Sequence, residues 1–257
     1  MGGALVAGLL SAKRVQPGQV TVADVDGKKR AALKNKWRVR TEKDNRIAIR
    51  GANVVLLCVK PQQVSGVLRE IAGEVSEQTL VVSVAAGVRT RQIENLLGKV
   101  PVIRAMPNTP ALLRAGAMVF ALGRYAGRNH AGIAQTILSS LGLVWKVPET
   151  QMDAVTALSG SGPAYVFYLA ECLAAAGVSM GLPKGLADGL AHQTVYGAGR
   201  MLAETSVPAE ELRRRVTSPG GTTEAALAVL AKDDMAGLFK KAVTAALRRS
   251  QELSAGD

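Results

Sequence analysis

The chain has 257 residues, enough to bury a substantial core and to form two modest domains. Its formal net charge is +12, yet the basic residues are scattered in short groups at Lys28-Lys29-Arg30, 34–40, Arg213 to Arg215 and Arg248-Arg249, with three Phe, four Tyr and no base-stacking motif; this argues against nucleic-acid binding and for a solvated basic surface that also suits small anions. No apolar run approaches the roughly 18 uncharged residues that cross a bilayer, residues 1–10 lack the charged start of a signal peptide, and Cys58 and Cys172 have no paired spacing, so the expectation is a cytoplasmic protein with two buried thiols and no membrane association.

From 20 to 146 short β-branched runs alternate with amphipathic stretches, the pattern of a parallel α/β sheet. Strands are expected at 20–24, 53–59, 79–85, 102–105, 117–122 and 143–147, and helices at 28–34, 62–72, 90–97 and 131–141. The run at 53–59 is almost wholly apolar, the mark of a strand covered on both faces, and is expected to lie centrally. After about Glu149 strand-like runs vanish, and helices are expected at 163–180, 184–204, 210–216, 224–230 and 235–253. Their many small residues allow close packing against one another or against a second subunit. The domains expected are residues 1–149, α/β, and residues 150–257, helical.

An open α/β sheet receives its ligand at the carboxyl ends of its strands. Here those positions hold Asp24, Val59-Lys60-Pro61, Ala85-Ala86-Gly87 and Met106-Pro-Asn-Thr-Pro110. Gly87 fits close approach of backbone to a flat ligand, and Lys60-Pro61 fits a rigid turn bearing a cation. Together they favour a dinucleotide fold without naming the cofactor. Ser159-Gly-Ser-Gly-Pro-Ala164 lacks the spacing of a hydrolase nucleophile elbow, and with only His130 and His192 in the chain a Ser-His hydrolase has little support. It reads as a turn with Ser161 capping a helix, a share in shaping a pocket remaining open. No metal-ligand cluster is visible, and Asp233-Asp234 reads as a helix-terminal pair.

The segment from Val216 to Leu227 combines a helix stop, a glycine turn and a helix start. Pro208 opens a short helix that closes on Arg213, Arg214 and Arg215, where cations suit the dipole, and Pro219 blocks its continuation. Gly220 and Gly221 permit a tight path, and Thr222 or Thr223 is expected to cap the next helix. A capping box from either would place Ala225 or Ala226 where a Glu is needed, so the opening amides stay free for an anion. An ordinary connection with hydrated amides fits the same spacing.

Taken in order, Val59-Lys-Pro61, Ser83-Val-Ala-Ala-Gly87, Arg104-Ala-Met-Pro-Asn-Thr-Pro110, the run from Asp153 to Tyr165, Met180-Gly-Leu-Pro183 and Val216-Thr-Ser-Pro-Gly-Gly-Thr-Thr223 resemble the pyrroline-5-carboxylate reductase family over nearly the whole chain. The last segment, continued through Leu227, is that family's signature. The resemblance implies a Rossmann domain for NAD(P)H and an all-helical domain that dimerises by interleaving helices, often building a decamer. Substrate then sits between the domains. Pyrroline-5-carboxylate would rest its carboxylate on the clamp from Ser218 through Gly220, Gly221 and Thr222 to Thr223, with the Thr223 hydroxyl beside the ring nitrogen as the catalytic candidate. Cofactor contacts would fall on Gly2, Asn45, Val59, Lys60, Pro61, Ala85, Ala86 and Gly87, with Asp24 near the adenosine ribose. Hydride transfer from the nicotinamide C4 to the imine carbon, which becomes C5 of the product, would give L-proline.

Family members begin with a strand and the run Gly-x-Gly-Asn-Met-Gly, whose last two residues correspond to Met1-Gly2. The fold class expected is therefore a Rossmann-type α/β domain lacking its first strand, followed by an all-α dimerisation domain, with a start assigned too far downstream as the simplest cause. Asp24 suits the ribose hydroxyl of NADH, whereas Lys28, Lys29 and Arg30 suit the 2′-phosphate of NADPH, the cofactor expected here. Two alternatives stand beside an active reductase: a truncated, catalytically impaired dimerisation module, and a related β-hydroxyacid dehydrogenase. The latter needs a Lys in the helix joining the domains, and 164–181 contains none.

Overall fold

In the computed structural model, which describes residues 1–255, the first half of the chain builds a two-stranded parallel ladder and a five-stranded mixed one, flanked by helices. In chain order it comprises α1 (Gly2–Ser11), β1 (Thr21–Ala23), α2 (Gly27–Trp37), β2 (Arg40–Glu42), α3 (Asn45–Ile49), β3 (Val54–Leu57), α4 (Pro61–Ile71), β4 (Leu80–Ser83), α5 (Thr90–Leu97), β5 (Val102–Met106), β6 (Gly116–Leu122), α6 (Arg128–Leu138), β7 (Gly142–Lys146) and α7 (Met152–Val155). A π-helical turn, Thr156–Gly160, follows. The second half is helical: α8 (Gly162–Ser179), α9 (Lys184–Glu204), α10 (Ala209–Arg215), α11 (Thr222–Lys232) and α12 (Met235–Ala255). Among the described residues one compact unit holds Met1–Gly160 together with 246–255; the other is Ser161–Ala245.

Alternating side chains carry the first unit's core. On one face of the sheet Leu80, Val82, Ile103, Met118 and Phe120 pack against Leu5 and Leu9 of α1 and Ala134 and Leu138 of α6. On the other, Val81, Val102, Val55 and Leu57 meet Val64 and Leu68 of α4 and Ile93 of α5. This period of two, with helices on both faces, is why β4 is buried at every position.

Strand order differs from expectation in two respects. The ladder β3-β4-β5-β6-β7 is mixed, because β6 runs antiparallel to β5. Only a short connection containing the 3₁₀ turn Thr109–Leu113 joins them, less than the dozen or so residues that a parallel crossover needs. The apolar strand β3 is not central: it pairs with β4 alone, while β1 pairs with β2 in a separate two-stranded ladder. β2 and α3 were not expected at all. Asp44 starts α3 by accepting the Arg46 N–H at 2.8 Å, as Asp26 starts α2 by accepting from Lys28 and Lys29.

In the second unit α8 and α9 form an antiparallel pair, turning at Gly181 (φ +93°) and Pro183. A Cβ on Gly177 would stand 3.1 Å from the Ala187 Cβ, so small residues do set this close approach. Large apolar side chains, among them Phe167, Tyr168, Leu190 and Tyr196, remain exposed on the pair. Cys172 on α8 is also exposed, contrary to the expectation of two buried thiols; Cys58 is mostly covered, and burial pushes its thiol up to about 11.

Candidate active site

The segment expected as an anion seat lies where α10 gives way to α11. Arg213, Arg214 and Arg215 close α10, and Glu211 accepts from the guanidinium groups of Arg214 and Arg215. Gly220 takes the left-handed conformation (φ +69°) that its lack of a Cβ permits. The cap is Gly221 rather than Thr222 or Thr223, with its N–H on the Ser218 carbonyl at 3.0 Å. A Cβ there would stand 3.0 Å from the Ser218 backbone carbonyl oxygen and against the Ser218 hydroxyl, which can turn aside.

Moving the cap to Gly221 puts Glu224 at the third helical position, which the expected register had given to Ala225 or Ala226. The Glu224 carboxylate accepts the Gly220 N–H at 2.7 Å, one residue outside the helix. Among the described residues, the N–H groups of Thr222, Thr223 and Glu224 then have no partner within the chain, and neither threonine hydroxyl is engaged. Ser218, Gly220 and Thr222 are exposed, and Gly221 and Thr223 half-buried. Three outward amides at a helix start, with the macrodipole behind them, suit a carboxylate. A groove of about 730 Å³ lined by Arg213, Arg214, Thr217, Leu227 and Phe239 runs along the same helices without including Thr222 or Thr223.

The other candidates lie in the first unit. Lys60 caps α4, whose first residue is Pro61, at the end of β3. Ala85, Ala86 and Gly87 follow β4, the parallel neighbour of β3, so these two segments share one sheet edge. Asp24 follows β1; its carboxylate accepts the Asp26 N–H at 2.9 Å, and Arg30 donates to its carbonyl. Asn45 opens α3 and donates to Glu70 of α4 at 2.8 Å. Gly2 opens α1, where an added Cβ would stand 3.2 Å from the Cys58 Cβ, so the helix start lies against the chain just past β3. Its N–H and that of Gly3 have no partner within the chain among the described residues. Unpaired helix-start amides, a parallel strand edge and a positive-φ glycine fit a dinucleotide. Gly87 has a second duty: at φ +78° it leaves 3.2 Å between the position of a Cβ and the Leu253 carbonyl oxygen, so the last turn of α12 occupies that side.

Sequence reasoning missed a buried polar cluster. Arg104 of β5 is 3% exposed, and its guanidinium lies 3.2 Å from an Asp153 carboxylate oxygen and 3.9 Å from Glu149. That Asp153 oxygen also accepts from the hydroxyls of Ser250 and Ser254, each at 2.9 Å. Glu149 accepts from the Thr90 N–H and hydroxyl at 2.7 and 2.6 Å. Burial raises the Asp153 pKa, but hydrogen bonds from Ser254, Ser250 and Arg104 and the Arg104 charge together outweigh it and hold the carboxyl below its ordinary value. An Arg inside an apolar strand and two Ser four residues apart were the available signals.

Ser161 stands at the cap of α8, but its side chain makes no capping bond; the preceding π-helical turn brings the helix in without one. Asn108 donates to the Ser159 carbonyl and accepts the Ala117 N–H, tying that turn to β6. Asp233 ends α11, and Asp234 accepts the Gly237 N–H at the start of α12, as expected for a helix-terminal pair. Among the described residues no group of His, Cys, Asp and Glu could hold a metal ion, and no helix is long and apolar enough to cross a membrane.

Residues 149–253 match the family described as pyrroline-5-carboxylate reductase dimerisation, and residues 1–87 the family described as NADP oxidoreductase coenzyme F420-dependent. The chain is 42% identical to the pyrroline-5-carboxylate reductase of Synechocystis, covering 98% of this chain and 94% of that one. It is 40% identical to the enzyme of that name from Pseudomonas aeruginosa, covering 99% and 93%. Among solved structures, the pyrroline-5-carboxylate reductase of Coxiella burnetii superposes with a TM-score of 0.93 at 43% identity, covering 98% and 94%. The Plasmodium falciparum pyrroline carboxylate reductase with NADP bound gives 0.87 at 27% identity, covering 99% and 94%.

Proposed function

The chain belongs to the pyrroline-5-carboxylate reductase family, and from that premise we propose how its own residues carry the reaction. It is an NAD(P)H-dependent oxidoreductase that reduces 1-pyrroline-5-carboxylate to L-proline, and its helical dimerisation domain makes it a homo-oligomer. We divide it functionally into residues 1–149 for the cofactor and 150–257 for substrate and dimerisation, a division that the matched ranges support. The exposed apolar face of α8 and α9 is the surface assigned to the partner subunit. A cytoplasmic location belongs to the same reading.

The observation that carries the substrate assignment is the set of unpaired Thr222, Thr223 and Glu224 N–H groups behind the Gly220-Gly221 turn. They receive the substrate carboxylate, and the turn from Ser218 keeps their path narrow. The Thr223 hydroxyl hydrogen-bonds at the ring nitrogen and polarises the C=N bond. It is too weak an acid to give up its proton at neutral pH, so it positions the imine while solvent or the substrate itself supplies that proton. When bound at the strand edge, the reduced nicotinamide supplies a hydride. Gly2, Asp24, Asn45, Val59, Lys60, Pro61, Ala85, Ala86 and Gly87 hold it, with Lys28, Lys29 and Arg30 available to a 2′-phosphate, so NADPH is the preferred donor.

The carboxylate seat is tested by comparing pyrroline-5-carboxylate with 1-pyrroline, which lacks the carboxyl group. Loss of hydrogen bonds to a charged group should lower kcat/KM about ten- to a hundredfold. Equal kcat/KM for the two imines would overturn the assignment.

A further inference from the structure

The carboxylate of Asp153 gathers donors from two distant parts of the chain: Arg104 on β5 and, four residues apart on one face of α12, Ser250 and Ser254. Both serines are buried, although they lie in the last turns of α12, where a helix end ordinarily frays. Between them in sequence, Leu253 brings its backbone carbonyl oxygen to 3.2 Å from where a Cβ on Gly87 would stand.

The segment beyond β4 needs such a support. The Val84 N–H still bonds to the Leu57 carbonyl, and the Ala85 N–H reaches the Ser83 hydroxyl at 3.3 Å. Past that point, among the described residues, neither the Ala86 nor the Gly87 N–H has a partner within the chain. Glycine in the left-handed region has wide conformational freedom, so the backbone there is confined by what packs on it. That neighbour is α12.

We infer that Asp153 is a positioning residue for the cofactor: with Ser250, Ser254 and Arg104 it latches the last turns of α12 beside β4 and so holds Ala85-Ala86-Gly87 in the path that receives the dinucleotide. The inference rests on the cofactor placement proposed above. Asp153 acts only through α12; it touches neither reactant.

The test uses the full chain and two variants, the double substitution Ser250→Ala with Ser254→Ala and the single Asp153→Asn. The first removes two hydroxyls while Asp153 keeps its ion pair with Arg104, so no buried charge is left unpaired. Both should speed amide hydrogen exchange across residues 246–255 and raise the KM for NADPH about three- to tenfold, with kcat and the KM for pyrroline-5-carboxylate within about twofold of the parent. Lys60→Ala, read in parallel, reports on the cofactor seat itself. Unchanged exchange at 246–255 overturns the latch. Faster exchange with an unchanged NADPH KM overturns its positioning role, provided Lys60→Ala raises that KM. If Lys60→Ala also leaves it unchanged, the cofactor placement fails and the positioning role falls with it.

Discussion

The Leu253 carbonyl oxygen lies 3.2 Å from the point where a Cβ on Gly87 would stand, and Gly87 itself sits at φ +78°. An alanine there meets backbone on one side and a disfavoured conformation on the other. Gly87→Ala should destabilise the protein by about 1–3 kcal/mol. A shift in the urea midpoint at constant slope measures it, and an unchanged midpoint would contradict this account of the glycine.

Thr223 is half-buried, and among the described residues its hydroxyl has no partner within the chain. If it polarises the imine, Thr223→Ala should lower kcat/KM about ten- to a hundredfold, while Thr223→Ser, which keeps the hydroxyl, should retain most of it. Steady-state kinetics on the two variants decide the role, and an alanine variant as active as the parent would remove it.

A Cβ added at Gly221 would stand 3.0 Å from the Ser218 backbone carbonyl oxygen, a tight contact that the turn must yield to admit. Gly221→Ala should therefore open the turn and misalign the Thr222 and Thr223 amides. The substrate KM should rise about tenfold, with the KM for NADPH unaffected. A loss confined to NADPH would place the turn's duty elsewhere.

Asp153 gives a pH signature. Its folded-state pKa is depressed, so the unfolded chain binds more protons as pH falls and stability declines with it. The contribution is fully present above the ordinary carboxylate value of about 4 and is lost as pH drops through the lower folded-state value. The stability gap between the parent and Asp153→Asn should thus be constant from about pH 7 to about pH 5 and narrow below about pH 4 in urea titrations. A gap that widens on acidification would mean that the carboxyl is not held ionised by its partners.

Much of this architecture is legible in residue patterns. α5 and α9 occupy 90–97 and 184–204 as expected, because Thr90 opens an amphipathic turn and Pro183 precedes a long run of helix formers. Residues 38–49 defeat the same reasoning: their basic and polar side chains show no period, yet pairing with β1 and capping by Asp44 make them β2 and α3. The direction of β6 depends on the length of the connection after β5, which composition does not report. The glycine turn before α11 was readable, but the register of the helix start was not, since the carbonyl of Ser218, the residue just before Pro219, takes the Gly221 N–H and makes Gly221 the cap. The Asp153 cluster joins residues some hundred positions apart in sequence, beyond the reach of any local pattern.

Residues 1–257 are expected to reduce pyrroline-5-carboxylate at the α11 amide seat with a nicotinamide donor. The most direct measurement is NADPH oxidation by the purified chain with pyrroline-5-carboxylate, with L-proline formation followed in the same reaction. The account predicts one L-proline formed for each NADPH oxidised, at a rate that falls in Thr223→Ala. Folded protein that forms no L-proline with either NADPH or NADH would contradict it.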